Sequence, residues 1–337
     1  MTDPGSDDVD AWAAALLAGD RRGLARAITL VESTRDADRR RARALLRTVL
    51  PRTGHAFRLA VSGPPGAGKS TFVEALGLHL TDGGARLGVL TIDPSSVRTG
   101  GSILGDKTRM VELARRPQAF IRPSPAGATH GGVARRTREA MLLLEAWGAD
   151  VVIVETVGVG QAELAAAAMV DQFLVLLPPG AGDDLQGIKR GIMELADLVL
   201  VTKADGDLAD AAERARADYA SAVGLLQPRH AGLPSEVRTV SSVEGRGITE
   251  AWAVLAARRE RLLGDGRLDA QRAAQAGAWM WSEVREGVVD AASAGPIAAR
   301  AADLEARVRR GAALPEDAAD EILGFLLGTG PEGTGPA

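Results

Sequence analysis

The chain contains no cysteine. That excludes a disulfide framework, a thiolate metal site, a cysteine-ligated iron–sulfur cluster and a thiol nucleophile, and it fits a reducing, cytoplasmic setting. Lysine is nearly as scarce. Of 40 basic residues only Lys69, Lys107, Lys189 and Lys203 are lysines, and the other 36 are arginines. Arginine serves wherever any positive charge suffices, so a surviving lysine marks a place where a compact ammonium on a flexible stem fits better than a broad planar fork. Aromatics make up 3% of the chain, which leaves Ala, Leu and Val to supply the core. The longest apolar runs, such as VVIVETV and FLVLLP, fall far short of the ~20 residues that span a bilayer. The opening MTDPGSDDVD is acidic and reads as neither a signal peptide nor an Arg-rich transit segment. A net charge of −4 gives no overall reason to bind nucleic acid. His55, His79, His130 and His230 are scattered without ligand spacing and read as structural or surface residues.

What is present falls into regions. Residues 1–50 read as a helical segment, with apolar stripes Trp12, Leu16, Leu17 and Leu24, Ile28, Val31. Over residues 51–262 short β-branched runs alternate with helical stretches: FRLAVSG, RLGVLTID, QAFIRP, DVVIVET, QFLVLLP, DLVLVTK and VRTVSS. Most are continuously apolar, as strands covered on both faces are. The alternation predicts an α/β domain built on a mostly parallel sheet. Residues 263–327 read as helices over 267–292, 297–311 and 316–327, and the tail 328–337, rich in Gly and Pro, as disordered. Trp279 and Trp281 stand about 200° apart on a helix and cannot share one groove. A partner subunit could cover one of them, or the helix could be sandwiched within one chain.

GPPGAGKST, residues 63–71, follows a predicted strand and opens a helical pattern. This is the G-x-x-x-x-G-K-[ST] phosphate loop in its required setting. Gly63, Pro65, Gly66, Ala67, Gly68 and Thr71 form the cradle, in which backbone N–H groups converge on phosphate and the helix N-terminus adds positive potential. Lys69 is expected to reach the β- and γ-phosphates and Ser70 to bind Mg²⁺. Asp93 ends a second strand. Glu155 ends the strand VVIV, with Gly158 three residues on. That E-x-x-G stands where many GTPases carry D-x-x-G, and it would turn a carboxylate toward Mg²⁺ through water and an N–H toward the γ-phosphate. Thr202, Lys203 and Asp205 form T-K-x-D at another strand end, similar to the guanine-reading N-K-x-D. Asp205 would accept from guanine N1–H and the 2-amino group, a donor pair that adenine lacks. Ser241, Ser242 and Val243 resemble the loop whose backbone N–H meets the guanine oxygen. GTP or GDP is therefore the expected ligand, with ATP as the competing reading.

GSILGDKTRM (101–110), VETVGVGQAE (154–163), DDLQGIKRG (183–191) and AWMWSEVREG (278–287) resemble the MeaB/ArgK branch of the metallochaperone-type P-loop GTPases. The resemblance implies a P-loop GTPase domain flanked by N-terminal helices and a C-terminal helical dimerisation arm. It implies a GTPase chaperone of adenosylcobalamin-dependent acyl-CoA mutases, chiefly methylmalonyl-CoA mutase, that gates cofactor delivery from an adenosyltransferase. Adenosylcobalamin would sit on the partner. It also implies that Asp106 helps to orient the attacking water and that Lys189 lies in a switch reporting nucleotide state to the mutase. With no strong general base in view, intrinsic hydrolysis is expected to be slow and to accelerate when the partner orders the switches. The alternatives are a metal-insertion GTPase, which the missing Cys and His clusters disfavour, and an ArgK-like kinase acting on a second protein.

Overall fold

The computed structural model describes residues 6–92, 110–124, 130–156, 162–180 and 190–329. Asp93, Asp106, Lys107, Gly158 and Lys189 lie outside the described residues, as do most of GSILGDKTRM and DDLQGIKRG and the tail from residue 330. The chain divides into two compact units, Met1–Arg272 and Ala273–Ala337.

The first unit is built on seven strands: β1 (Phe57–Ser62), β2 (Leu87–Ile92), β3 (Ala119–Ser124), β4 (Val151–Thr156), β5 (Gln172–Leu177), β6 (Leu198–Val201) and β7 (Glu236–Thr239). They pair in parallel in the order β3-β2-β4-β1-β5-β6-β7. Each of the seven apolar runs read from the sequence forms one strand. β1, β2, β4 and β5 are buried throughout, because helices cover both faces, and only there can a strand be apolar at every position. The edge strand β7 is half-exposed and correspondingly mixed in sequence. On one face Leu59, Val61, Val89, Ile153, Leu174 and Leu176 pack with Phe72, Val73 and Leu76 of the helix Lys69–Asp82 (α4).

Three helices precede the sheet: α1 (Ser6–Leu17), α2 (Arg21–Glu32) and α3 (Asp36–Val49). Asp20 caps α2 by accepting from the N–H groups of Arg22 and Gly23. The α1 stripe departs from the expected one. Leu16 is buried with Val9 and Ala13, but Leu17 is exposed and Trp12 half-buried, so the inward positions follow the spacing 9, 13, 16. Glu32 of α2 pairs with Arg122 of β3, and Trp147 donates to the Gly19 carbonyl at 3.0 Å. These ties fix the helical segment to the sheet.

Charges are buried at the N-terminal end of the strands. Asp171 and Glu145 are sealed from solvent. Arg272, in the first turns of the helix Arg267–Ala292, grips Asp171 at 2.6 and 2.8 Å and the Ala56 carbonyl at 2.7 Å. Arg58 makes a two-pronged pair with Glu145 at 2.7 and 2.9 Å, while its own N–H donates to Asp171. His230 lies 3.4 Å from the buried Asp197. Burial pushes its imidazole below the usual value, against the pull of that carboxylate, in keeping with a structural histidine.

The second unit contains the rest of the helix begun at Arg267, then helices Ala298–Arg309 and Pro315–Leu327. On the long helix Met280, Trp281, Val284 and Val288 are exposed at three- and four-residue spacings, and Trp279 is half-buried.

Candidate nucleotide site

β1 lies between β4 and β5, with β2 and β3 beyond β4 on one side and β6 and β7 beyond β5 on the other. The strand order thus reverses at β1, and in open α/β sheets ligands sit at the carboxyl ends of the strands where it does so. The 63–71 loop occupies that point.

The loop's shape follows from its glycines. Gly63 has φ +149°, and a Cβ there would stand 2.1 Å from the Leu176 carbonyl oxygen of β5. No side chain fits. Gly66 and Gly68 adopt φ +78° and +84°, with open space where a Cβ would point. Glycines turned this way let successive N–H groups point to one side, a concavity suited to anions. Ala67 is buried, and its N–H donates to the Pro64 carbonyl at 3.2 Å. α4 starts at Lys69, so Ser70 and Thr71 lie in its first turn, where the helix end is positive.

Lys69 is largely buried, and Nζ donates to the Gly63 and Pro64 carbonyls at 2.8 and 3.0 Å. Ser70 Oγ donates to Oε1 of Glu155 at 2.9 Å. Glu155 ends β4 and is 6% exposed. At the next position Thr156 donates to Ser62 Oγ at 2.8 Å, joining the ends of β4 and β1. Thr91, at the end of β2, is 2% exposed, and its hydroxyl makes no hydrogen bond among the described residues.

The loops after β6 and β7 converge on the same edge. Thr202 Oγ1 donates to the Ala67 carbonyl at 2.8 Å and lies 3.2 Å from that of Leu177. The loop after β6 is thereby fastened to the phosphate loop. Lys203 is exposed and has φ +55°, the one non-glycine residue with positive φ among the described residues. A lysine held there carries about 1 kcal/mol or more of backbone strain, a pattern that collects at functional sites. Ser241 Oγ donates to Oδ2 of Asp205 at 2.5 Å. Ser242 is half-buried and Val243 is exposed beside it. Arg246 was not singled out from the sequence. Its guanidinium donates to the Ala204 carbonyl at 2.6 Å, and Ser241 N–H donates to the Arg246 carbonyl at 3.0 Å. No local signal marks it, since the tie spans 42 residues.

One edge of the sheet therefore carries an amide-lined loop with a lysine, a serine–carboxylate pair, and an aspartate aimed by a serine. Together they have the chemistry to hold a polyphosphate, a hard cation and a purine with adjacent donors.

The sequence model of the family described as "Methylmalonyl Co-A mutase-associated GTPase MeaB" matches residues 24–297. A "Probable GTPase" of Mycobacterium tuberculosis is 51% identical over 318 residues, covering 94% of this chain and 95% of that protein. The mitochondrial methylmalonic aciduria type A homolog of Mus musculus is 48% identical over 326 residues, 94% of this chain and 79% of that one. GTPase ArgK of Escherichia coli is 48% identical over 272 residues, 81% of this chain and 82% of that one. The solved structure titled as a LAO/AO transport system kinase superposes with a TM-score of 0.76 at 36% identity, covering 97% of this chain and 99% of that one. The chain is a P-loop GTPase of the MeaB family, related to the methylmalonic aciduria type A proteins.

Proposed function

We propose that this GTPase is a chaperone of an adenosylcobalamin-dependent acyl-CoA mutase, gating cofactor loading and protecting or reactivating the loaded enzyme. The observation that carries this reading is the match to a mutase-associated family over residues 24–297. Methylmalonyl-CoA mutase is the first partner to test, followed by isobutyryl-, hydroxyisobutyryl- and ethylmalonyl-CoA mutases. An adenosyltransferase would supply the cofactor, which this chain does not itself hold.

In this reading the nucleotide's phosphates lie in the 63–71 loop. Lys69 exchanges the Gly63 and Pro64 carbonyls for phosphate oxygens, and the loop amides and the start of α4 add to the positive field. A hard cation that keeps several waters fits the oxygen donors here, Ser70 directly and Glu155 through water. Ser70 and Glu155 would hold magnesium here, and its charge would help to neutralise the polyphosphate. Asp93 is assigned to the same metal region, the Gly158 N–H to the γ-phosphate, Asp106 to the attacking water and Lys189 to the switch that senses the mutase. Asp205 reads the guanine N1–H and 2-amino group while Ser241 holds its other lone pair. The stem of Lys203 covers the base, and the backbone at Ser242 and Val243 meets the guanine oxygen.

An Asp205→Asn variant should lose at least about 100-fold in guanine-nucleotide affinity, because an amide N–H₂ now faces two donors. Xanthine presents an oxygen in place of the 2-amino group, so binding of xanthosine nucleotides should rise. Titration with both nucleotides reads the exchange, and unchanged GDP binding would remove Asp205 from the site.

The partner is tested by turnover. With Mg²⁺ and GTP the purified chain should hydrolyse slowly, and a purified mutase from the same organism should raise the rate by about tenfold or more. If none of the four mutases changes the rate or co-elutes with the chain, the chaperone reading fails. γ-Labelled GTP settles the kinase alternative: label on free phosphate supports the GTPase, label on a second protein the kinase. We also assign the exposed Met280, Trp281, Val284 and Val288 stripe to a homodimer contact. Sedimentation of the full chain as a monomer would overturn this.

A further inference from the structure

β2 reads LGVLTI and is buried at every position. A hydroxyl in such a strand needs a reason, since valine would fill the same volume with no polar atom to desolvate. Thr91 Oγ1 is buried and makes no hydrogen bond among the described residues. An orphaned buried polar group in a native fold points to something that satisfies it in another state, such as a water or an ion.

Its position says what that is. Thr91 pairs in register with Glu155 of the neighbouring parallel strand, so the two side chains leave the same face of the sheet. That face is the one covered by α4: Leu87 and Val89 of β2 and Val151 and Ile153 of β4 all belong to its core. Two residues further along each strand the apolar pattern ends in a hydroxyl and a carboxylate, at the point where α4 begins and Ser70 reaches Glu155. Thr91 thus stands beside the serine–carboxylate pair, at the carboxyl ends of the strands.

We infer that Thr91 is a positioning residue for the metal end of the nucleotide site, its hydroxyl taking a hydrogen bond from a magnesium-bound water beside Glu155. The inference rests on the proposed Mg²⁺ site but goes beyond it, because Thr91 is no part of the phosphate-loop, strand-end acid or base-reading motifs. A magnesium-bound water is a strong donor, and the hydroxyl has two lone pairs to offer. Outer partners of this kind orient the inner ligands and commonly alter metal affinity by an order of magnitude.

The test uses the full chain, a fluorescent GDP analogue and Mg²⁺ titrated against its dissociation rate. Thr91→Val should raise the Mg²⁺ concentration for half-maximal retention by about tenfold, while Thr91→Ser, which keeps the hydroxyl, should stay close to the parent. The nucleotide-free Thr91→Val protein should melt no lower than the parent, since the substitution removes an unsatisfied group and keeps the shape. An unchanged Mg²⁺ dependence overturns the inference. So does an equal loss of melting temperature with and without Mg²⁺ and nucleotide, which would mark a purely structural role. A parent protein whose nucleotide retention ignores Mg²⁺ altogether overturns the metal site itself, and Thr91 with it.

Discussion

Gly63→Ala should nearly abolish nucleotide binding and cost about 3 kcal/mol or more of stability. The new methyl would stand 2.1 Å from a main-chain oxygen of β5, and no rotamer can relieve a clash made by Cβ. Only the backbone can move, either at the start of the phosphate loop or in the buried centre of the sheet. Overpacking of this kind and a side chain forced to φ +149° each cost about 1–3 kcal/mol. The loop amides would shift with the backbone, and a misplacement near 1 Å is enough to lose phosphate contacts. Gly66→Ala is the control. It too has positive φ, but its Cβ meets nothing within 4 Å, so only about 1 kcal/mol of strain is expected. Urea unfolding of the nucleotide-free proteins separates the two variants, and a Gly63→Ala protein that binds GDP normally would refute the argument.

Arg272→Ala should be the most damaging change outside the nucleotide site, at about 3–5 kcal/mol. Asp171 is sealed from solvent and depends on that guanidinium, so truncation leaves a buried carboxylate without its cation, the situation in which breaking a buried pair costs most. The Ala56 carbonyl loses its donor as well. Adding Asp171→Asn removes the stranded charge while keeping an oxygen to accept from Arg58 N–H, so the double variant should recover part of the loss. The unfolding midpoints of single and double variants give the coupling. Additive losses would mean that the pair does not act as a unit.

The sheet was legible because strands covered on both faces carry few polar positions to blur them, and runs such as VVIV and FLVLL have no other use. The phosphate loop was legible because its chemistry is packed into nine consecutive residues. What could not be read is held by single side chains acting across long stretches of chain. Thr202 reaches Ala67 over 135 residues and Ser241 reaches Asp205 over 36. Arg272 reaches Asp171 over 101. Such ties leave no periodicity, and one threonine or arginine in a sequence looks like any other. The α1 stripe failed for a smaller reason: on a helix of 12 residues, one slip of register exchanges an inward leucine for an outward one.

The hydroxyl of Thr202 has a consequence for fidelity. It fastens the segment that would identify the purine to the segment that would grip its phosphates, through one short bond and no intervening side chain. A mismatched base that disturbs the first segment therefore drags on the second. Incorrect nucleotides would be penalised twice, once in how long they stay and again in how fast they turn over.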